Sequence, residues 1–217
     1  MAHENRPRVL VTRAEDQASP LAERLEALGC EVLICSLIRI ESLGDEPIDV
    51  GGVDWVVVTS PNGATELARR LVSPPTRLAA IGPATADALR AHGLEPDLVP
   101  AVSSQEGLLA ELPRPAGRVL LAAAEGARRL LVDELGADFL PLYRTVELQP
   151  LRVPEGDLAV LASPSAARAL AATSARLPVV VIGPHTAEAA RGLGFDVVGV
   201  ADAHDLDGLV AAVEQVL

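Results

Sequence analysis

Short apolar runs recur along the chain and are too brief for helices: 9–12, 55–58, 78–81, 97–99, 118–122, 158–161, 179–182 and 196–199. Each reads as a strand buried on both faces, the pattern of a parallel sheet. Amphipathic stretches between them predict helices at 60–71, 83–91, 104–112, 126–135, 164–172, 184–191 and 205–216. Near the start, Arg13 to Ala18 reads as a polar loop, with Ser19-Pro20 capping a helix that ends at Gly29. Two segments, Cys30–Glu41 and Ala137–Leu148, have strand character for about twelve residues, where five or six is usual. Each is expected to finish in one sheet and continue into another.

The pattern is written twice. Ile81-Gly82-Pro83-Ala84-Thr85-Ala86 returns as Ile182-Gly183-Pro184-His185-Thr186-Ala187, and Thr59-Ser60-Pro61-Asn62-Gly63-Ala64 as Ala162-Ser163-Pro164-Ser165-Ala166-Ala167. Leu37-Ile38-Arg39 answers to Leu142-Tyr143-Arg144, and Ser103–Leu108 to His204–Leu209. In each case an apolar run meets a tight turn and a helix start. Proline at the first helical position gives up an amide proton that had no partner, while the next amides stay free for an anion.

The fold class expected is therefore α/β: two parallel-sheet, three-layer α/β domains related by internal duplication and joined by a two-stranded linker. The last three strands make an open sheet only if the first strand and helix join them. That gives a discontinuous outer domain, 1–37 and 147–217, an inner domain, 43–140, and linker strands at 38–42 and 141–146. In such sheets the loops after the strands gather on one edge, where ligands bind. Two domains hinged by two strands are expected to open and close a cleft between those edges.

Composition narrows the ligand. The net charge of −12 and the scarcity of aromatic residues argue against nucleic acid. All 18 basic residues are arginine, which excludes a phosphate-loop lysine and a Schiff-base lysine. An anion must then be held by arginine and backbone amides. No apolar run is long enough to span a membrane, and Met1–Arg8 is too polar for a leader, so a cytoplasmic protein is expected. Cys30 and Cys35, five apart on an expected strand, face opposite sides and read as ordinary buried thiols.

The ordered set VTR, TSPNGA, AIGPATADAL, VSSQEGLLAEL, PLYRTVEL, ASPSAARAL and VIGPHTAEAARGLG resembles the uroporphyrinogen-III synthase family over essentially the whole chain. The resemblance implies two α/β domains on a two-stranded linker. It also implies cyclisation of the linear tetrapyrrole hydroxymethylbilane, with loss of water and inversion of ring D, in porphyrin biosynthesis. Neither cofactor nor metal is implied; the partner is a small polycarboxylate substrate, with no membrane, and the chain is expected to be a monomer.

Candidate residues follow. Tyr143, the only tyrosine, stands where the family also has tyrosine and is the expected general acid toward the departing hydroxyl. Ser60, Asn62 and Gly63, with Ser163 and Ser165 in the second copy, either bind substrate carboxylates or simply cap helices. Gly183, His185 and Thr186 are expected at the substrate; His185 departs from the hydroxyl residue usual in the family. Arg13 closes the first strand in the family's Val-Thr-Arg and is a candidate carboxylate partner. Arg39 and Arg144 are expected to pair with Glu41 and Glu147, and Arg128 is the one remnant of an anion contact after the strand at 118–122. His204-Asp205-Leu206-Asp207 resembles a metal site, but its twin Ser103-Ser104-Gln105-Glu106 has no comparable ligands, so both read as helix caps. The alternative is a non-catalytic clamshell module that binds an anionic small molecule. A flavin or dinucleotide enzyme is disfavoured by the lack of Gly-x-Gly-x-x-Gly.

Overall fold

In the computed structural model the apolar runs become two five-stranded sheets, and the described residues are 6–150 and 152–217. Residues 1–5, part of the segment read as too polar for a leader, and Leu151, in a proline-rich loop, lie outside them. The chain starts with β1 (Arg8–Val11), α1 (Glu15–Ala27), β2 (Glu31–Ile34) and β3 (Ile38–Ser42). Next come β4 (Trp55–Val58), α2 (Pro61–Arg70), β5 (Leu78–Ala80), α3 (Pro83–Ala91), α4 (Gln105–Glu111), β6 (Val119–Ala124), α5 (Leu130–Leu135) and β7 (Asp138–Glu147). It ends with β8 (Leu158–Leu161), α6 (Pro164–Ala171), β9 (Val179–Val181), α7 (Pro184–Gly192), β10 (Val197–Val200) and α8 (Leu206–Glu214). Two units result, one of Met1–Arg39 with Thr145–Leu217 and one of Ile40–Arg144.

The first unit carries the sheet β10-β9-β8-β1-β2, parallel throughout. Val9, Val11, Val160 and Val180 point one way and are buried with Leu21 and Leu25 of α1 and Leu209 and Val213 of α8. Their alternates Leu10, Ala159, Leu161, Val179 and Val181 are fully buried too, on the side taken by α6 and α7. The second unit carries β3-β7-β6-β4-β5, in which β7-β6, β6-β4 and β4-β5 are parallel. There Val56, Val58 and Ala80 pack with Leu67 of α2 and Leu89 of α3. On the other face Val57, Ala79 and Leu121 pack with Leu108 of α4 and Leu131 of α5. Burial of both faces is why these strands are continuously apolar.

Four local expectations are corrected. α1 begins at Glu15, so Ser19-Pro20 lies inside it; Glu15 and Asp16 favour the start electrostatically, and Pro20 costs one helical hydrogen bond. Residues 97–99 form a single bridge, Leu98 to Ala79, and no named strand. Gly126, a poor helix former, falls in a turn, and α5 starts only at Leu130. Of the two long segments, the first breaks at 35–37 and supplies one strand to each sheet, whereas β7 runs unbroken for ten residues in one sheet. Cys30 and Cys35 consequently flank β2; both are free and buried, and burial raises their thiol pKa values.

Candidate active site

In the second unit the junction after β4 gathers four of the predicted residues. Ser60 is the N-cap of α2, and its Oγ accepts from the Gly63 amide at 3.0 Å. A methyl on Gly63 would lie 3.1 Å from that Oγ and 3.6 Å from the Ala122 carbonyl, so the turn is packed tightly against β6. Pro61 gives α2 its fixed start.

Tyr143 reaches this junction from β7. Between Ala123 and Ala124 the β6–β7 register shifts, so that Ala123 faces Pro141 while Ala124 faces Tyr143. Such an irregularity re-aims a side chain. The phenol oxygen lies 2.9 Å from Ser60 Oγ and also hydrogen-bonds Asn62. The residue is 6% exposed, with its ring in the apolar cluster that holds Val58, Ala122 and Leu142. Burial pushes the phenol pKa above its ordinary value, more than the Ser60 and Asn62 bonds lower it. The group therefore keeps its proton at neutral pH and is a donor.

In the first unit the corresponding junctions follow β8 and β9. Ser163 caps α6, accepting from the Ala166 amide at 3.2 Å. Ser165 Oγ accepts from Arg168, whose Nε is 2.7 Å from Glu147 Oε1. Gly183 is the N-cap of α7 and offers no side chain, so the amides of His185 and Thr186 are uncapped. Thr186 is 3% exposed and makes no hydrogen bond among the described residues, whereas His185 is exposed. The Ser-Pro junctions thus use one first-turn amide internally, and the Gly-Pro junctions use none. Arg13, directly after β1, is half-buried; among the described residues its guanidinium donates only to Gln17 Oε1, at 3.4 Å, and has no ion pair. Burial lowers its guanidinium pKa, and Asp16 partly offsets this. A cation in that state gains from an incoming carboxylate.

Comparison with known proteins decides what these junctions belong to. Residues 19–211 match the family model described as uroporphyrinogen-III synthase HemD. The chain belongs to the uroporphyrinogen-III synthase family. A uroporphyrinogen-III synthase of Synechococcus elongatus is 27% identical over 249 residues, covering 95% of this chain and 94% of that protein. A Methanocaldococcus jannaschii relative is 28% identical over 156 residues, 67% of this chain and 65% of its own length. Two solved structures share the fold. One is uroporphyrinogen-III synthetase from Helicobacter pylori, with TM-score 0.66, 17% identity and coverage of 97% of this chain and 100% of that one. The other is a mutant uroporphyrinogen III synthase from the extremely thermophilic bacterium Thermus thermophilus, with TM-score 0.62, 19% identity and coverage of 96% and 98%.

Within this member of the family several arginines are already engaged. Arg144 pairs with Glu41 at 2.9 Å, whereas Glu147 takes Arg168. Arg128, expected as an anion contact, sits 2.6 Å from Glu106, which raises its pKa and satisfies its charge internally. Arg168 itself was not foreseen: mid-helix arginines are common, and only its reach back to Ser165 marks it.

Proposed function

We propose that this synthase uses Tyr143 as the proton donor that starts the cyclisation of hydroxymethylbilane. The observation that carries the reading is the buried phenol held by Ser60 and Asn62 in a member of this family. Its proton passes to the departing hydroxyl of ring A as the carbon–oxygen bond breaks and water leaves, giving a protonated azafulvene (azafulvenium) and the Tyr143 phenolate. The substituted carbon of ring D attacks that carbon, a spiro intermediate forms, and fragmentation with reclosure inverts ring D. The proton released on rearomatisation restores the phenol, so the catalyst is regenerated. Arg13 and the first turns at Ser60, Asn62 and Gly63, at Ser163 and Ser165, and at Gly183, His185 and Thr186 receive substrate carboxylates. No helix among the described residues is long and apolar enough to cross a membrane; the reading takes the protein as a cytoplasmic monomer, to be tested by sedimentation at 22.5 kDa.

The test is to supply fresh hydroxymethylbilane, oxidise the products and separate the type I and type III isomers. Predominant type III is expected; type I alone, at the rate of buffer, would sink the proposal. The pH profile is a second check. Because burial raises the folded-state phenol pKa, Tyr143 causes no loss of activity up to about pH 10. The unfolded chain releases this proton first, so fold stability contributed by the protonated phenol is present below about pH 10 and is lost as pH rises further. An alkaline decline centred near pH 8 that disappears in Tyr143→Phe would contradict this assignment.

A further inference from the structure

Two side chains at the head of the twin segments Ser103–Leu108 and His204–Leu209 sit on the glycines of the Gly-Pro junctions. Gly82 (φ −176°) and Gly183 (φ 174°) have extended backbones that any residue adopts, so space explains them. A methyl on Gly183 would lie 2.8 Å from both Nε2 and Cδ2 of His204. On Gly82 it would lie 2.5 Å from Ser103 Oγ and 2.9 Å from its Cβ. Each glycine therefore makes room for a polar side chain from the next loop of its own unit.

Neither side chain is a cap. The caps are the following residues, Ser104 and Asp205, which accept from the Gly107 and Gly208 amides at 3.0 and 2.8 Å. The carbonyls of Val102 and Ala203 occupy the space that side chains at 107 and 208 would need. With carbonyl and cap both fixed, the residue between them is directed onto the glycine. Ser103 and His204 are exposed and make no hydrogen bond among the described residues. Of the nearby acids, Asp205 is engaged with the Gly208 amide and Asp207 with Arg24, while Asp202 is exposed. In the first turn that follows Gly183, Thr186 is 3% exposed and its side chain makes no hydrogen bond among the described residues.

We propose that His204 is a substrate-contacting residue of the first unit, its imidazole N–H donating to a carboxylate received at Gly183 and Thr186. Ser103 does the same with its hydroxyl beside Gly82. A neutral imidazole has one N–H to give and a hydroxyl has one O–H, so each junction gains a directional donor that its glycine cap lacks. The inference rests on the proposed function for its ligand, and the two can fail separately.

The test titrates uroporphyrin III, the stable oxidised form of the product, into wild type, His204→Ala and His204→Gln, with binding followed by porphyrin fluorescence. His204→Ala is expected to weaken binding roughly tenfold, the size of one hydrogen bond to a charged group. His204→Gln, which keeps a donor, is expected to stay within about threefold of wild type. Equal affinity of wild type and His204→Ala overturns the inference, as does equal weakening by Ala and Gln, or failure of wild type to bind. Type III turnover is measured alongside. Turnover with unchanged affinity in His204→Ala sinks only this inference, while a tenfold loss without turnover keeps the contact and sinks the synthase reading.

Discussion

Tyr143→Phe is expected to lower the rate of type III formation by about 100-fold and to raise the share of type I. General acids contribute about 10² to 10⁴ in rate, and the low end applies where holding two ends of a substrate does much of the work. Phenylalanine preserves the ring that packs beside Val58, Ala122 and Leu142, so the fold should tolerate the change. Ser60 keeps its bond from the Gly63 amide, and Asn62 loses one partner, at a cost of about 1 kcal/mol in stability. The residual rate reflects the carboxylate contacts, which remain. As catalysis slows, spontaneous closure without inversion competes, which is why the isomer ratio moves as well as the rate. Steady-state assay with isomer separation checks both, and an unchanged rate would remove Tyr143 from the chemistry.

Leu67→Ala is expected to destabilise the Ile40–Arg144 unit by about 2–5 kcal/mol, read as a lower urea midpoint with an unchanged slope. Leu67 is fully buried on α2 and packs in the cluster with Val56, Val58 and Leu89. Removing it takes away apolar contact and leaves a cavity beneath the helix whose first turn contains Asn62 and Gly63. Activity measured well below the urea midpoint should fall less than tenfold, because the Ser60 cap and the Tyr143 bond lie at the helix start. A shift of the midpoint worth under about 1 kcal/mol would show that the core closes around the smaller side chain.

The strands and the four proline-started helices were readable because their signals are local: an apolar run, a capping serine or glycine, a proline. Ser60, Asn62, Gly63 and Tyr143 could be nominated singly, and their mutual bonds depend on a register shift at Ala123 that leaves no mark in the sequence. The start of α1 is not legible because Ser19-Pro20 imitates a cap, while Ala14, which stands at the true position, makes no side-chain bond. The Arg128–Glu106 pair was not legible for another reason: the two residues are 22 apart in sequence and meet only in space. Ser103 and His204 open twin segments that read from sequence only as helix caps. Both stand one residue before a cap, where no propensity rule speaks, and only the glycine opposite reveals where each points.

The insertion of Ile40–Arg144 between the two pieces of the other unit sets an order of events during synthesis. β1 pairs with β8, and Arg8 bonds Asp157 across 149 residues of sequence. At roughly 5–20 residues per second, the ribosome needs on the order of 7 to 30 seconds to make that intervening stretch. The inserted unit is complete before then. Meanwhile β1, α1 and β2 have each other but not β8 or α8, so the faces of Val9, Val11 and Leu21 wait uncovered. The newborn chain is therefore most prone to aggregate through its first thirty-odd residues, and it stays so until its last sixty emerge.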